Sequence, residues 1–107
     1  MSEPGRYVVI AHHHVRSGAG DIVEAALRDH GAATQEEPGC AAFIAHRSIA
    51  DPDSFAIYEA YHSQSDWHAH QHTPHYKKYV IDTIKPLLLS RELDFYRPVP
   101  AAEQKTP

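Results

Sequence analysis

Turn and cap signals divide the chain into six short periodic segments, in the order strand, helix, strand, strand, helix, strand. The strand segments are rich in β-branched and aromatic residues, whereas the helical segments repeat apolar residues at spacings of three and four. The Asp51-Pro52-Asp53-Ser54 turn is short enough to make the middle two strands an antiparallel hairpin. The predicted strands are residues 7–15, 40–49, 55–61 and 92–97, and the predicted helices are residues 20–36 and a helix that begins at 74.

This order of segments predicts an α+β fold of the ferredoxin-like βαββαβ type. In that fold a four-stranded antiparallel sheet carries two helices on one face. A chain of 107 residues buries only roughly two-thirds of its unfolded surface by itself, so a second copy that covers the other sheet face is expected. We therefore predict one domain over residues 1–100, a homodimer, and a disordered polar tail over residues 101–107.

A tight corner is predicted before the second main helix. Thr73 followed by Pro74 is a typical helix start, with threonine as the N-cap and proline at the first helical position. A separate short helical segment, from about Ser65 to Gln71, precedes it and has Ser63 or Ser65 as its cap. The stretch 67–76 at this corner contains four of the ten histidines and the only tryptophan. Its side chains are expected to converge there.

Composition and charge exclude several classes of function. The net charge is −4 and the ten Lys and Arg residues are dispersed, which argues against a nucleic-acid surface. No run approaches about 18 consecutive apolar residues, and the N-terminus has no basic segment leading into an apolar one. We therefore expect no membrane partner and no export. The single cysteine, Cys40, suits a reducing cytoplasm.

The histidine-rich segments lack the spacing of a protein metal site. On a strand, His12 and His14 share one face and His13 points to the other. The second histidine run is broken by the helix start at the corner, so its members do not align on one helical face. No Cys-x-x-Cys or His-Glu-x-x-His motif completes a set. We therefore expect no protein-borne metal.

Several short motifs resemble those of the antibiotic biosynthesis monooxygenase family, over about residues 7–97. They are Glu37-Pro38-Gly39-Cys40, Asp51-Pro52-Asp53-Ser54-Phe55, Tyr58-Glu59, Ala69-His70 and Thr73-Pro74-His75-Tyr76. The resemblance implies ferredoxin-like protomers that pair their sheets into a dimeric α+β barrel. It also implies the activity of those members that oxidise quinols or polyketide anthrones with molecular oxygen and without metal or flavin. Other relatives degrade haem or process a phosphorylated sugar.

The haem-degrading branch can be compared position by position. That branch relies on an asparagine on the first strand, a tryptophan before the corner and a histidine on the last helix. In this chain the corresponding residues are Ala11, His70 and Val80. All three depart from the pattern, so haem ligation through that helix histidine is not expected.

An oxygenase that uses no cofactor needs a base and an apolar pocket. A histidine can take a phenolic proton near neutral pH and stabilise the resulting anion. His70 and His75 are the leading candidates because they lie at the corner and at a helix start, and His13 is the third because it shares the strand face of Val9 and Ala11. Pocket-lining candidates for an aromatic substrate are Trp67, Phe43, Ile57, Tyr76 and Val80.

Structural alternatives stay open for each of these residues. The aromatic side chains suit ordinary core packing, and His70 could bond a backbone carbonyl that holds the corner. Glu59 could orient a histidine, although an inter-strand or inter-subunit ion pair is the favoured interpretation. The predicted function is a cofactor-independent monooxygenase acting on a small aromatic quinol or anthrone. A non-oxidative isomerase and a non-catalytic small-molecule-binding protein of the same fold are the alternatives.

Overall fold

A computed structural model describes residues 6–102 of the chain. The predicted disordered tail falls mostly on residues 103–107, which lie outside the described residues. Ala101 and Ala102 are exposed and belong to no helix or strand. None of the helices within the described part is long and apolar enough to span a membrane.

Four antiparallel strands form one sheet, in the order β2-β3-β1-β4. The strands are β1 (Tyr7–Val15), β2 (Cys40–Arg47), β3 (Ser54–Tyr61) and β4 (Leu88–Tyr96). Between them lie helix α1 (Gly20–Thr34), the short helix α2 (Gln64–His70), a π-helix (Tyr76–Ile84) and a 3₁₀ turn (Lys85–Leu87). The predicted α+β ferredoxin-like protomer is therefore confirmed.

Two predicted elements are longer than the observed ones. Helix α1 ends at Thr34 and not at Glu36. The amides of Glu36 and Glu37 bond carbonyls only three residues earlier, as in a 3₁₀ turn and not an α-helix. Strand β2 ends at Arg47 and not at Ile49. An Asp-centred turn begins directly after it, in which Asp51 accepts the amide of Asp53 at 3.0 Å.

The corner forms as predicted, but the helix after it is of a different kind. The Ser63 side chain caps α2 by accepting the amide of Asp66, and the Thr73 hydroxyl accepts the amide of Tyr76 at 3.2 Å. One helical turn at Pro74 leads into the π-helix, where an α-helix was expected. The wider turn buries residues spaced by four, namely Tyr76, Val80 and Ile84.

Strand β4 begins four residues earlier than predicted, at Leu88. Strand β1 is nine residues long, and its end still needs hydrogen-bonding partners, so Val15 pairs with Leu88 beyond an irregularity in the register. Pro86, which has no N–H, lies in the 3₁₀ turn that separates the π-helix from this strand. The chain thus passes from helix to strand within three residues.

The two faces of the sheet differ in character. The face under the helices is buried: Val9, Ala11, His13 and Val15 of β1 all point into it. The face away from the helices, called here the open face, carries exposed His12 and half-buried His14. The prediction that His13 shares one strand face with Val9 and Ala11 is therefore confirmed.

Candidate functional site

A small cavity lies between the sheet and the helices. Its volume is about 20 Å³, which is room for one water molecule and not for an aromatic ring. Side chains from β1, β2, β3, β4, both α-helices and the π-helix surround it. They are His13, Leu27, His30, Phe43, Ile57, Glu59, Trp67, His70, Tyr76, Val80 and Arg91.

The structure brings together seven of the eight site residues predicted from the sequence. His13, His70 and all five pocket candidates (Trp67, Phe43, Ile57, Tyr76 and Val80) line this cavity, whereas His75 lies behind its wall. Four surface depressions are larger, and the two largest of these measure about 580 and 490 Å³. Those two lie beside α1 and on the open face. None of the four is lined by His70 or His75, so the small cavity is the candidate site.

His70, the last residue of α2, is held by a carboxylate and not by a backbone carbonyl. Its Nδ1 lies 2.7 Å from Oε2 of Glu37, and its ring stacks on Trp67 with the centroids 5.8 Å apart. The corner is instead held by Thr73, whose hydroxyl donates to the carbonyl of His70 at 2.8 Å. Because an ionised carboxylate only accepts, Nδ1 of His70 carries the proton and Nε2 has the free lone pair.

Glu37 also binds His75. The Nε2 atom of His75 lies 2.6 Å from the same Oε2 atom, so one carboxylate oxygen accepts two N–H bonds. Glu37 is in the loop after α1, more than thirty residues from either histidine. Its motif was noticed in the sequence, but nothing local there indicated that it would meet the corner.

Glu59 lies on the other side of His70. Its Oε1 atom is 3.8 Å from Nε2 of His70 and accepts the hydroxyl of Tyr61 at 2.6 Å. Burial raises the pKa of Glu59 to about 7, although Tyr61 and Arg91 act to lower it. Within residues 6–102 Glu59 makes no salt bridge with Lys or Arg, so the favoured inter-strand ion pair is not found there.

Two further histidines line the cavity in the neutral form. Burial, with a smaller effect of Arg91, lowers the pKa of His13 to about 4, and neither ring nitrogen of His13 has a hydrogen-bond partner among the described protein groups. Burial also lowers the pKa of His30 to about 3. Neutral imidazole can donate one hydrogen bond and accept another.

His30 was missed by the sequence analysis. It lies on the buried stripe of α1 together with Val23 and Leu27, and its ring centroid is 5.2 Å from that of His70. The spacing of three and four that marked Val23 and Leu27 continues to position 30. That continuation was the available signal. By contrast Ile22, which is next to Val23 in the sequence, is exposed.

Glu37, His70 and His75 are also the residues that could hold a metal ion. Each offers one ligand atom, and these atoms lie within 4.8 Å of one another. The two N···O distances of 2.6 and 2.7 Å are hydrogen-bond lengths, and the shared oxygen is already the acceptor in both. The arrangement is therefore a hydrogen-bonded His–Glu–His cluster as it stands.

Comparison with protein families gives one match. The model of the antibiotic biosynthesis monooxygenase family matches residues 6–81, which is more than half of the chain. No curated protein matches the chain significantly.

Solved structures with the same fold are numerous. A candidate antibiotic biosynthesis monooxygenase from Nitrosomonas europaea is 29% identical, with a TM-score of 0.84 over 92% of this chain and 96% of that one. Another antibiotic biosynthesis monooxygenase is 25% identical, with a TM-score of 0.81 over 88% of this chain and 99% of the other. A third candidate member, from Bacteroides thetaiotaomicron, is 23% identical, with a TM-score of 0.84 over 97% and 100% of the two chains, which speaks for the fold alone.

Proposed function

This chain belongs to the antibiotic biosynthesis monooxygenase family, and from that premise we propose that it is a monooxygenase that uses no cofactor. Its substrate is a small aromatic quinol or anthrone, molecular oxygen is the co-substrate, and His70 is the general base. The observation that supports this most directly is the setting of His70. Its Nδ1 is fixed by Glu37, while Nε2, the basic nitrogen, belongs to a ring that lines the cavity.

Burial keeps this base ready to accept a proton. Desolvation lowers the pKa of His70, and the hydrogen bond and charge of Glu37 act in the opposite direction. The ring is therefore neutral near pH 7, and accepting a proton produces an imidazolium that is paired with a carboxylate. A histidine placed in this way typically contributes about 10²–10⁴-fold to a rate.

The proposed reaction begins with transfer of the acidic proton of the substrate to Nε2 of His70. The anion gives one electron to oxygen, and the two radicals then combine to form a carbon–oxygen bond. The peroxide anion takes the proton back from His70, and the hydroperoxide then loses its remaining C–H proton as the O–O bond breaks, which gives the carbonyl and water. For an anthrone, one CH₂ group and one O₂ become one carbonyl and one H₂O, so no external reductant is needed. Neutral His13 can donate a hydrogen bond to the developing anion.

Substrate entry requires the cavity to open. A flat aromatic ligand needs far more room than about 20 Å³, so the side chains of α2 and of the π-helix must separate from the sheet. Trp67 and Tyr76 come from these two elements, and their ring centroids lie 5.8 and 5.2 Å from that of His70. Closure around the substrate would then exclude water from the radical and peroxide stages.

A homodimer in the cytoplasm completes the proposal. On the open face, one row of paired residues across β2, β3 and β1 is Ile44, Tyr58 and Ile10. In the neighbouring row Val8 and Ala60 are already buried within the chain, so only the half-buried Ala42 extends this surface. A second copy of this sheet is the occupant that fits such a face, because it would present the same apolar row.

Oxygen uptake and product formation, followed together under air and under nitrogen, test the proposed function. A panel of quinols and anthrones should be converted only in air, with equal rates with and without chelator. His70→Ala should lower kcat by at least about 100-fold. His72→Ala is the matched control and should stay near wild type, since His72 is exposed and bonds only the carbonyl of His68.

The other outcomes would contradict the proposal in distinguishable ways. Turnover that persists under nitrogen would identify a non-oxidative isomerase. Saturable binding with no conversion of any substrate would identify a binding protein. Activity that disappears with chelator would mean that a metal takes part.

A further inference from the structure

We propose that Glu37, which does not line the cavity, is the positioning residue for His70, and that His75 acts through Glu37 and not on the substrate. This inference rests on the proposed function, because it assigns roles around the same base. It follows from the geometry of the three residues. One oxygen, Oε2 of Glu37, lies 2.7 Å from Nδ1 of His70 and 2.6 Å from Nε2 of His75.

The three residues become more exposed as their distance from the cavity increases. The exposed fraction of the side chain is 1% for His70, 12% for Glu37 and 18% for His75. Only His70 lines the cavity. A substrate in the cavity would therefore contact His70, while Glu37 and His75 stay behind its ring.

The carboxylate of Glu37 has two effects on His70. As the acceptor of the Nδ1 proton it fixes one tautomer, which directs the Nε2 lone pair away from Glu37. As a nearby negative charge it stabilises the imidazolium that forms when His70 accepts the substrate proton. Both effects would be strong here, since the site is largely closed to water.

His75 in turn fixes Glu37. The side chain of glutamate has several rotatable bonds, and a second N–H donor on the same oxygen holds that oxygen in place. His75 is in the helical turn that Thr73 caps, so the start of the helix sets its position. This role differs from direct stabilisation of a substrate anion, which the sequence had suggested for His75.

Three substitutions at Glu37 and His75 separate a charge effect from a packing effect. Glu37→Gln keeps the size and an acceptor oxygen but removes the charge, so kcat should fall roughly 10–100-fold with KM unchanged. His75→Gln keeps an N–H donor at nearly the same reach and should retain most of kcat. His75→Ala removes that donor and should lower kcat roughly 10-fold. His72→Ala serves again as the control.

An NMR titration of the unliganded protein supplies a second readout. Glu37→Gln should lower the pKa of His70 further, because the charge of Glu37 raises it. The other titratable groups facing His70, namely Glu59, Tyr61, His30, His75 and Tyr76, are unchanged in that variant. This measurement needs no substrate, so it tests the role of Glu37 even if the proposed activity is absent.

Three outcomes would overturn the inference. The first is an unchanged pKa of His70 in Glu37→Gln. The second is a change in KM alone in the Glu37 and His75 variants. The third is a His75→Gln protein that is as impaired as His75→Ala, which would mean that the imidazole itself is required. Failure of the proposed function alone would appear differently, as a wild-type protein that converts no substrate while His70 still responds to Glu37.

Discussion

Glu59 is buried next to His70 and the Tyr61 hydroxyl, and this position makes stability depend on pH. Its pKa is raised from 4.5 to about 7, so between these values the folded protein holds a proton that the unfolded chain has lost. The contribution of Glu59 to stability is therefore present below pH 4.5 and is lost as pH rises through about 7. His13 and His30, whose pKa values are lowered, act in the opposite direction below pH 6.5.

Glu59→Gln should remove this loss of stability. The variant has no proton to lose and keeps an acceptor for the Tyr61 hydroxyl. At pH 5 its free energy of unfolding should be close to that of wild type, and at pH 8 it should be higher by up to about 3 kcal/mol. Urea unfolding at both pH values, at one protein concentration, measures this difference.

An exposed carboxylate is the control for that experiment. Glu36→Gln makes the same chemical change on the surface and should alter stability equally, and little, at both pH values. A stability difference for Glu59→Gln that does not grow between pH 5 and pH 8 would show that Glu59 is ionised at both.

At the residue scale, the sequence predicted the position of a side chain wherever that side chain shares a strand or helix face with residues close to it in the chain. The alternation of β1 placed His13 under the helices, and the corner placed Trp67 and His70 together. The positions of Glu37 and Arg91 could not be predicted in this way, because Glu37 comes from a loop and Arg91 from the last strand. No periodicity relates them to the histidines, and only the folded chain brings them close.

The corner between α2 and the π-helix is the element that positions the candidate site. Ser63 and Thr73 were recognised as caps because capping depends on local residue types, and both make the expected bonds. The π-helix was not recognised from the sequence. Apolar spacings of three and four do not show whether each amide bonds the carbonyl four residues earlier, as in an α-helix, or five residues earlier, as in a π-helix. Thr83 contributes to the difference by donating to the carbonyl of Lys78, five residues earlier.

Thr73→Ala should loosen this corner. The substitution removes the acceptor for the Tyr76 amide and the donor to the carbonyl of His70. Loss of such a cap typically lowers the free energy of unfolding by about 1 kcal/mol. Urea unfolding at pH 7 gives the change, and kcat should fall as well, because His70 and His75 flank the threonine.

Thr83→Ala is the matched comparison within the next helix. Its hydroxyl also donates to a backbone carbonyl, but it is near the surface and caps no amide. Its effect should stay within about 0.5 kcal/mol. Equal effects of the two substitutions would mean that Thr73 has no special role in the corner.

In the whole molecule, the candidate site and the proposed association surface lie on opposite faces of the sheet. The cavity, His70, His75 and Glu37 lie on the helix side of the sheet, whereas the row of Ile44, Tyr58 and Ile10 lies on the open face. The order of elements was sufficient to predict this division, since both helices of a βαββαβ chain cover the same face. The proposal that a second copy covers the open face rests on this uncovered row, because a single chain shows no partner.

Ile44→Asp should therefore convert a dimer into a monomer and leave the candidate site, on the other face of the sheet, unchanged. Ile44 is 51% exposed in the apolar row of the open face, and a carboxylate there would be buried against the second sheet without a partner. Ile22→Asp is the matched control, because Ile22 is 55% exposed on α1. By sedimentation equilibrium, wild type and Ile22→Asp should have twice the 12.0 kDa chain mass, and Ile44→Asp should have the chain mass. A wild-type protein that sediments at 12.0 kDa at micromolar concentration would refute the homodimer and leave the open face to another partner.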